Sequence, residues 1–212
     1  MNYILIGPPG SGKSTQALKI TRRLNIIHLS TGNMFREMKE SNKIVNKYLA
    51  TGQLVPDEIV NDMISKFFEK TDVKRGFLLD GFPRTINQAK MLNKILKNQK
   101  IKINIVFFLS IGFDEIIKRI LKRKTCLCGI NYDNITLLSI KNLKRCNICG
   151  GEFLQRDDDK IEKVIRTRLS IYETQTQPLI KFYENLGLLV KIKGCNDELC
   201  VFKEINSYFN KK

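Results

Sequence analysis

Hydrophobic and polar positions along the chain alternate between short apolar runs and longer stretches with helical spacing. Residues 2–6, 76–79 and 103–109 are apolar runs bounded by turn-forming residues, the pattern of strands buried on both faces. Residues 15–24, 56–70 and 87–97 carry apolar side chains three and four positions apart, which predicts amphipathic helices, and residues 188–192 read as a last strand. The alternation predicts an α/β fold with a doubly wound parallel sheet and a site beyond the carboxyl ends of the strands. Two stretches break the rhythm and read as insertions. Residues 30–55 are helical but polar, opened by Ser30-Thr31-Gly32 and closed near Gly52, whereas Cys126 to about Phe153 has paired cysteines and glycines without helical period. No internal repeat or low-complexity linker is evident.

The sharpest chemistry lies between the first run and the first helix. Gly7-Pro8-Pro9-Gly10-Ser11-Gly12-Lys13-Ser14 follows Tyr3-Ile4-Leu5-Ile6 directly and matches the phosphate-loop pattern Gly-x4-Gly-Lys-Ser/Thr in its strand-to-helix setting. A nucleoside triphosphate is implied. Lys13 would reach the β and γ phosphates, and the Ser14 hydroxyl would meet Mg²⁺. Asp80 ends the run Gly76-Phe77-Leu78-Leu79 and precedes Gly81-Phe82-Pro83-Arg84-Thr85. Alone it would read as a helix cap; beside a phosphate loop it puts a carboxylate where Mg²⁺ or its waters need one. Arg36, Arg84, Arg119, Arg123, Arg156 and Arg168 supply guanidinium forks suited to phosphate oxygens.

Composition changes the picture in two respects. The 212 residues suffice for one main domain with a small inserted module, and 37 Lys and Arg against 21 Asp and Glu give a net charge of +16. That field attracts polyanions, which makes nucleic acid the rival partner. Many of the extra lysines, such as Lys90, Lys94, Lys97 and Lys100, are scattered through a helical stretch as solvated charge, so no nucleic-acid partner is expected. The first strand begins at residue 2 and no apolar run approaches the length of a membrane span, so a cytoplasmic protein without membrane attachment is expected. In that reducing compartment Cys126-x-Cys128 and, after seventeen intervening residues, Cys146-x2-Cys149 suit a structural, tetrahedral zinc site; a metal-free lid with free thiols is the alternative. Cys195 and Cys200 read as small packed side chains, and His28, the single histidine, as structural.

Together these motifs resemble the adenylate kinase family in its long-lid, zinc-bearing form, over essentially the whole chain. Ser30-Thr31-Gly32-Asn33-Met34-Phe35-Arg36 and Gln53-Leu54-Val55-Pro56-Asp57-Glu58 are similar to the start and end of that family's monophosphate-binding region, and Asp80 to Thr85 with Gln88 to its signature. Arg119 and Arg123 stand before the lid, and Gln155-Arg156-Asp157-Asp158 and Arg168-Leu169 after it. The resemblance implies a core of residues 1–29, 56–121 and 161–212, an AMP-binding region at 30–55 and a lid at 122–160. It implies a monomeric phosphotransferase moving the terminal phosphoryl group of ATP to AMP, giving two ADP, with Mg²⁺ as cofactor and Zn²⁺ in the lid. AMP would be bound by Thr31, Arg36, Gln53, Leu54, Val55, Gly81, Phe82, Pro83, Arg84, Gln88, Arg156 and Arg168. ATP would be bound by Gly10, Ser11, Gly12, Lys13, Ser14, Thr15, Arg119, Arg123 and the backbone near Asn196. Lys13, Arg84, Arg123, Arg156 and Arg168 would carry the transfer.

Four positions depart from the family pattern. Ser14 replaces a common glycine, Asn33 a common aspartate and Lys124 a common second arginine, and one extra residue lies between Arg156 and Arg168. Two rival readings stand beside the resemblance: a kinase with another donor or acceptor base, such as GTP with AMP, and a zinc-containing nucleic-acid-binding protein. The second gives no account of Lys13, Asp80 and Arg84 falling at the mouths of two strands.

Overall fold

The computed structural model describes residues 1–126, 131–132, 145–146, 149–194 and 197–209. In chain order the elements are β1 (Asn2–Ile6), α1 (Lys13–Leu24), β2 (Ile27–Ser30), α2 (Thr31–Met38), α3 (Lys43–Thr51), α4 (Asp57–Lys70), β3 (Phe77–Asp80), α5 (Ile86–Asn98), β4 (Ile105–Ser110) and α6 (Phe113–Lys122). They continue with β5 (Lys124–Cys126), β6 (Asn131–Tyr132), β7 (Phe153–Leu154), α7 (Glu162–Ile171), α8 (Pro178–Asn185), β8 (Leu189–Lys193) and α9 (Glu198–Ser207).

The main sheet has the order β2-β3-β1-β4-β8, and all its pairings are parallel. Ile4 and Ile6 of β1 enter one apolar core with helices α4, α5 and α8, while Tyr3 and Leu5 enter a second core with α1 and α9. A strand covered on both faces needs apolar side chains at every position, so β1 reads as an unbroken run. The register brings Leu5, Ser30 and Asp80 to the same level at the carboxyl edge of the sheet, where β1 passes into the glycine-rich loop. This is the expected doubly wound α/β fold.

The expected strands are present with shifted ends: β3 runs through Asp80, β4 starts at Ile105, and β8 spans Leu189–Lys193. Asn104, just before β4, donates its backbone N–H to the Asn2 carbonyl at 2.8 Å and accepts from the Asn2 N–H through its side chain at 2.7 Å. Strand β2 was not expected. Its four residues alternate Ile27, His28, Leu29, Ser30, too short and too polar to stand out before an insertion that begins at the same serine. Helix α1 starts at Lys13, α4 at Asp57 after Pro56, and α5 covers Ile86–Asn98, capped by Thr85, whose Oγ1 accepts from the Gln88 N–H at 3.1 Å. Thr85, and not Asp80, is therefore the helix cap.

The first inserted stretch forms α2 and α3. Asn42 caps α3 by accepting from Ile44 and Val45. The second contributes a small antiparallel sheet in the order β6-β5-β7. The two insertions meet: Lys39 Nζ lies 3.5 Å from Asp157 Oδ2, and α3 packs on the turn at Asp157–Asp159 and on α7. Cys200 is exposed on α9, contrary to its expected packing, and Cys195 lies outside the described residues. Among the described residues, no helix is long and apolar enough to cross a membrane.

Gly76, entering β3, shows how tightly the sheet constrains its turns. Its φ is +98°, its carbonyl accepts from the Ile27 N–H at 3.0 Å, and a Cβ there would stand 2.1 Å from the Met1 carbonyl oxygen. Gly76→Ala is expected to lower unfolding free energy by about 2 kcal/mol or more, from left-handed strain plus the clash. Urea unfolding at constant slope measures it; an unchanged midpoint would show that the turn adapts.

Candidate active site

The carboxyl edge of the sheet opens into a cavity of about 270 Å³. Its floor is the loop after β1. Gly12, with φ +90° and open space around its Cβ position, is the residue from which α1 begins, so the loop turns into a helix whose first backbone N–H groups face the cavity. Lys13 folds back across the loop, its Nζ donating to the carbonyls of Gly7 (2.6 Å) and Pro8 (2.7 Å). Burial pushes its ammonium down to about 7; Asp80 opposes this, and repulsion from Arg84, Arg123 and Arg168 adds to it. A lysine so placed gains its charge fully only when an anion arrives.

Asp80 lies beneath Lys13 and is 3% exposed. Burial pushes its carboxyl up, but His28, Ser14 and Lys13 outweigh that and hold it below the usual carboxylate range. His28 Nε2 is 3.5 Å and Ser30 Oγ 3.4 Å from Asp80 Oδ2. The histidine read as structural thus has its place beside the one carboxylate at the floor of the loop, a contact that needed β2 to be recognised as the neighbour of β3.

Cations form the walls. Arg123 makes a two-pronged contact with Asp159, at 2.8 Å from Nε and 2.6 Å from Nη2, and Arg168 Nη1 reaches the same carboxylate at 2.8 Å and Asp158 Oδ2 at 2.9 Å. Asp159 is fully buried; burial raises its carboxyl, and Arg123, Arg168 and Arg156 more than reverse that. Arg156 donates to Thr125 Oγ1 at 2.9 Å, and Arg119 to Glu115 at 2.8 Å. Enclosure by the cleft walls, then repulsion from Arg168, lowers Arg84 to about 10. Lys13 and six arginines against Asp80, Asp158 and Glu198 leave the cavity an excess of positive charge that fits a polyphosphate.

On the opposite side, Thr31 Oγ1 donates to the Gly81 carbonyl at 2.9 Å and Arg84 Nε to the same oxygen at 3.0 Å. The Phe82–Pro83 peptide between them is cis. Gln88 is 3% exposed; its Nε2 donates to Asp57 Oδ1 at 2.7 Å, and its Oε1 accepts from the Arg84 backbone N–H at 2.7 Å.

Every nucleotide-site residue singled out in the sequence lines this cavity except Asn196, which lies outside the described residues: Gly10, Ser11, Gly12, Lys13, Ser14, Thr15, Thr31, Arg36, Gln53, Leu54, Val55, Asp80, Gly81, Phe82, Pro83, Arg84, Gln88, Arg119, Arg123, Arg156 and Arg168. Sequence reasoning missed wall residues such as Val60 and Tyr172, which carry no motif and simply fall at helical positions facing inward, and gave Phe35 no site role although it stands in the motif at residues 30–36. It also missed Asp57 and Asp159 as partners of site residues. Away from the cavity, the sulfurs of Cys126, Cys146 and Cys149 lie within 4.8 Å of one another; Cys128 is outside the described residues.

Comparison with known proteins agrees with this geometry. A family model described as adenylate kinase matches residues 5–188. An adenylate kinase of Methanothrix thermoacetophila is 43% identical over 215 residues, covering 100% of this chain and 99% of the relative. One from Archaeoglobus fulgidus is 40% identical, covering 100% and 99%, and one from Caldanaerobacter subterraneus subsp. tengcongensis 42%, covering 97% and 94%.

Lys13 gives the site a proton signature. With its pKa at about 7, the free side chain is mostly neutral at pH 8, and phosphate oxygens favour the ammonium, so polyphosphate binding raises its pKa and draws in a proton. Calorimetry of nucleoside triphosphate binding in buffers of different ionisation enthalpy should show net uptake approaching one proton at pH 8, falling toward zero near pH 6. Equal uptake by Lys13→Met would assign the proton elsewhere.

Proposed function

The chain belongs to the adenylate kinase family, and we propose that this cavity is where it exchanges a phosphoryl group between two bound nucleotides. The activity is reversible transfer of the terminal phosphoryl group of ATP to AMP, giving two ADP. The observation that carries the assignment of residues is the convergence of Lys13, Arg36, Arg84, Arg123, Arg156 and Arg168 on one cavity with the phosphate loop at one end and the Gly81–Gln88 segment at the other. One nucleotide would account for the loop alone. A second, entering from α2, α3 and α5, accounts for Thr31, Arg36, Gln53 to Val55, Gly81 to Arg84 and Gln88.

In the reaction an oxygen of the AMP phosphate attacks the γ phosphorus of ATP, the new P–O bond forms as the bond to the β,γ-bridging oxygen breaks, and ADP leaves with that electron pair. The attacking oxygen is already anionic and ADP leaves as a stable anion, so no general base is required. The protein's work is alignment and charge neutralisation. Lys13 and Arg123 hold the donor phosphates, Arg84 and Arg36 the acceptor phosphate, and Arg156 and Arg168 span the two. Ser14 and Asp80 would hold Mg²⁺ directly or through water, and the contact of the Ser14 hydroxyl with the buried Asp80 carboxylate, held below the usual carboxylate range, fits that ion. The ion would supply neutralisation of charge between the donor phosphates. Segments 30–55 and 122–160 act as covers that keep water from taking the phosphoryl group.

Zinc fits the lid. Three thiols within 4.8 Å suit tetrahedral Zn–S bonds of about 2.3 Å. Gly151 donates its N–H to Cys149 Sγ at 3.4 Å, and a Cβ at Gly151 would crowd the sulfurs of Cys126 and Cys149 at 3.2 Å, so the glycine leaves the sulfurs room and supports a thiolate. Cys128 would complete the four ligands. We infer in addition a monomer acting in the cytoplasm without nucleic acid; Lys13 and six arginines gathered inside the cavity account for part of the positive field.

Arg84→Ala is expected to lower AMP phosphorylation at saturating ATP by about a hundredfold or more, in keeping with loss of a group aimed at developing charge, while ATP binding measured directly stays within threefold. A coupled assay of ADP formation over all pairs of nucleoside tri- and monophosphates tests the whole reading, and a better acceptor than AMP would reject it. Elemental analysis of purified protein should find one zinc per chain, lost in Cys146→Ser together with a lower melting temperature. Protein free of metal after growth in zinc-containing medium would leave the thiols without that role.

A further inference from the structure

We propose that Asp57 is a positioning residue that sets the base preference of the acceptor site by fixing the carboxamide of Gln88. The proposal rests on the reading of Gln88 as the side chain that faces the AMP base. A primary amide has two ends of nearly equal shape and opposite hydrogen-bonding sense, so the partner at each end decides which way it points. An ionised carboxylate only accepts, and a backbone N–H only donates. Asp57 Oδ1 at 2.7 Å from Nε2 and the Arg84 N–H at 2.7 Å from Oε1 therefore demand the same orientation. Turning the amide over would set oxygen against oxygen at one end and N–H against N–H at the other, at a residue 3% exposed where water cannot repair the loss. The backbone of Gln88 is held too, through its N–H to Thr85 Oγ1.

Once Asp57 and Arg84 have taken one position each, Gln88 keeps one N–H and one oxygen lone pair free of partners among the described residues, and it lines the cavity. A donor beside an acceptor, held in that order, complements the edge of adenine, where N1 accepts and the 6-amino group donates. Hypoxanthine and guanine present the reverse, an N1–H donor and a 6-oxo acceptor, and meet two mismatches. A site with fixed, buried polar groups rejects such an analogue far more strongly than an apolar pocket can. Gln88 alone could serve either pattern by flipping; Asp57, behind it in the first turn of α4, removes the choice.

The test compares kcat/KM for AMP and for inosine monophosphate, at saturating MgATP, in the full-length protein and in Asp57→Ala, Asp57→Asn and Gln88→Ala. Asp57→Ala is expected to reduce the AMP-to-IMP ratio about tenfold or more, AMP losing and IMP holding or gaining, as befits one hydrogen bond's discrimination removed. Asp57→Asn keeps the size of the side chain but tolerates either amide orientation, so it lowers the ratio as well and serves if the alanine variant is poorly folded. Equal losses for both substrates, or an unchanged ratio, in the Asp57 variants while Gln88→Ala collapses the ratio overturns the role of Asp57 and leaves Gln88 in place. An unchanged ratio in Gln88→Ala overturns the placement of the base itself.

Discussion

Repulsion among cations that share one cavity is the constraint around which this molecule is arranged. Arg84, Arg123 and Arg168 each depress the proton affinity of Lys13, Arg168 and Arg36 that of Arg84, and Arg123 and Arg36 that of Arg156. Three carboxylates limit the cost. Asp80 sits under the loop, and Asp158 and Asp159 hold Arg168 and Arg123 from the lid side. They offset the charge only in part, which leaves a field that incoming phosphates complete. Removing a carboxylate such as Asp159 would strand two guanidinium groups in a buried setting, so its importance exceeds what any single ion pair contributes.

The sheet decides where that charge collects. With both faces buried, the five parallel strands can send polar chemistry only to their ends, and the right-handed βα connections bring every loop after a strand to the same edge. Ser30, Asp80 and the phosphate loop are there because β2, β3 and β1 end there in register. The two insertions leave the core at this edge as well, and they touch across the cavity at Lys39 and Asp157. The cations of the inserted segments and those of the sheet edge are thus carried by separate parts of one chain.

How much of this was legible in the sequence follows from how local each signal is. The loop at residues 7–14, the aspartate ending a strand and the arginine clusters are short-range patterns, and they account for Lys13, Ser14, Asp80 and the six arginines of the cavity; Gln16, Thr176 and Glu198 line it too and carried no such signal. β2 was missed because a four-residue edge strand with His28 and Ser30 at alternate positions has too little hydrophobic signal to separate it from the helix that starts at residue 31. Asp57 and Gln88 are 31 residues apart, and Asp159 and Arg123 are 36 apart. Such pairings are set by how α4 meets α5 and how the lid returns to the core, which no periodicity encodes. With one extra residue between them, Arg156 and Arg168 still both line the cavity.

The other departures from the family pattern take a physical meaning from the same charge arrangement. Lys124 opens β5 and does not line the cavity, so its lack of a guanidinium fork removes nothing from the phosphate site. Ser14 adds a hydroxyl that bonds Asp80 and lies beside the loop lysine. Asn33 is the informative one. Its Oδ1 accepts from Arg36 Nη2, orienting the guanidinium as an aspartate would but without neutralising it. Arg36 faces Asp158 and Asp80 as well as Arg123 and Arg168, so without an aspartate at position 33 one further offset to the repulsion is missing from the ligand-free cavity. An aspartate would have traded attraction for phosphate against stability of the empty site; the asparagine shifts that balance toward the bound nucleotide.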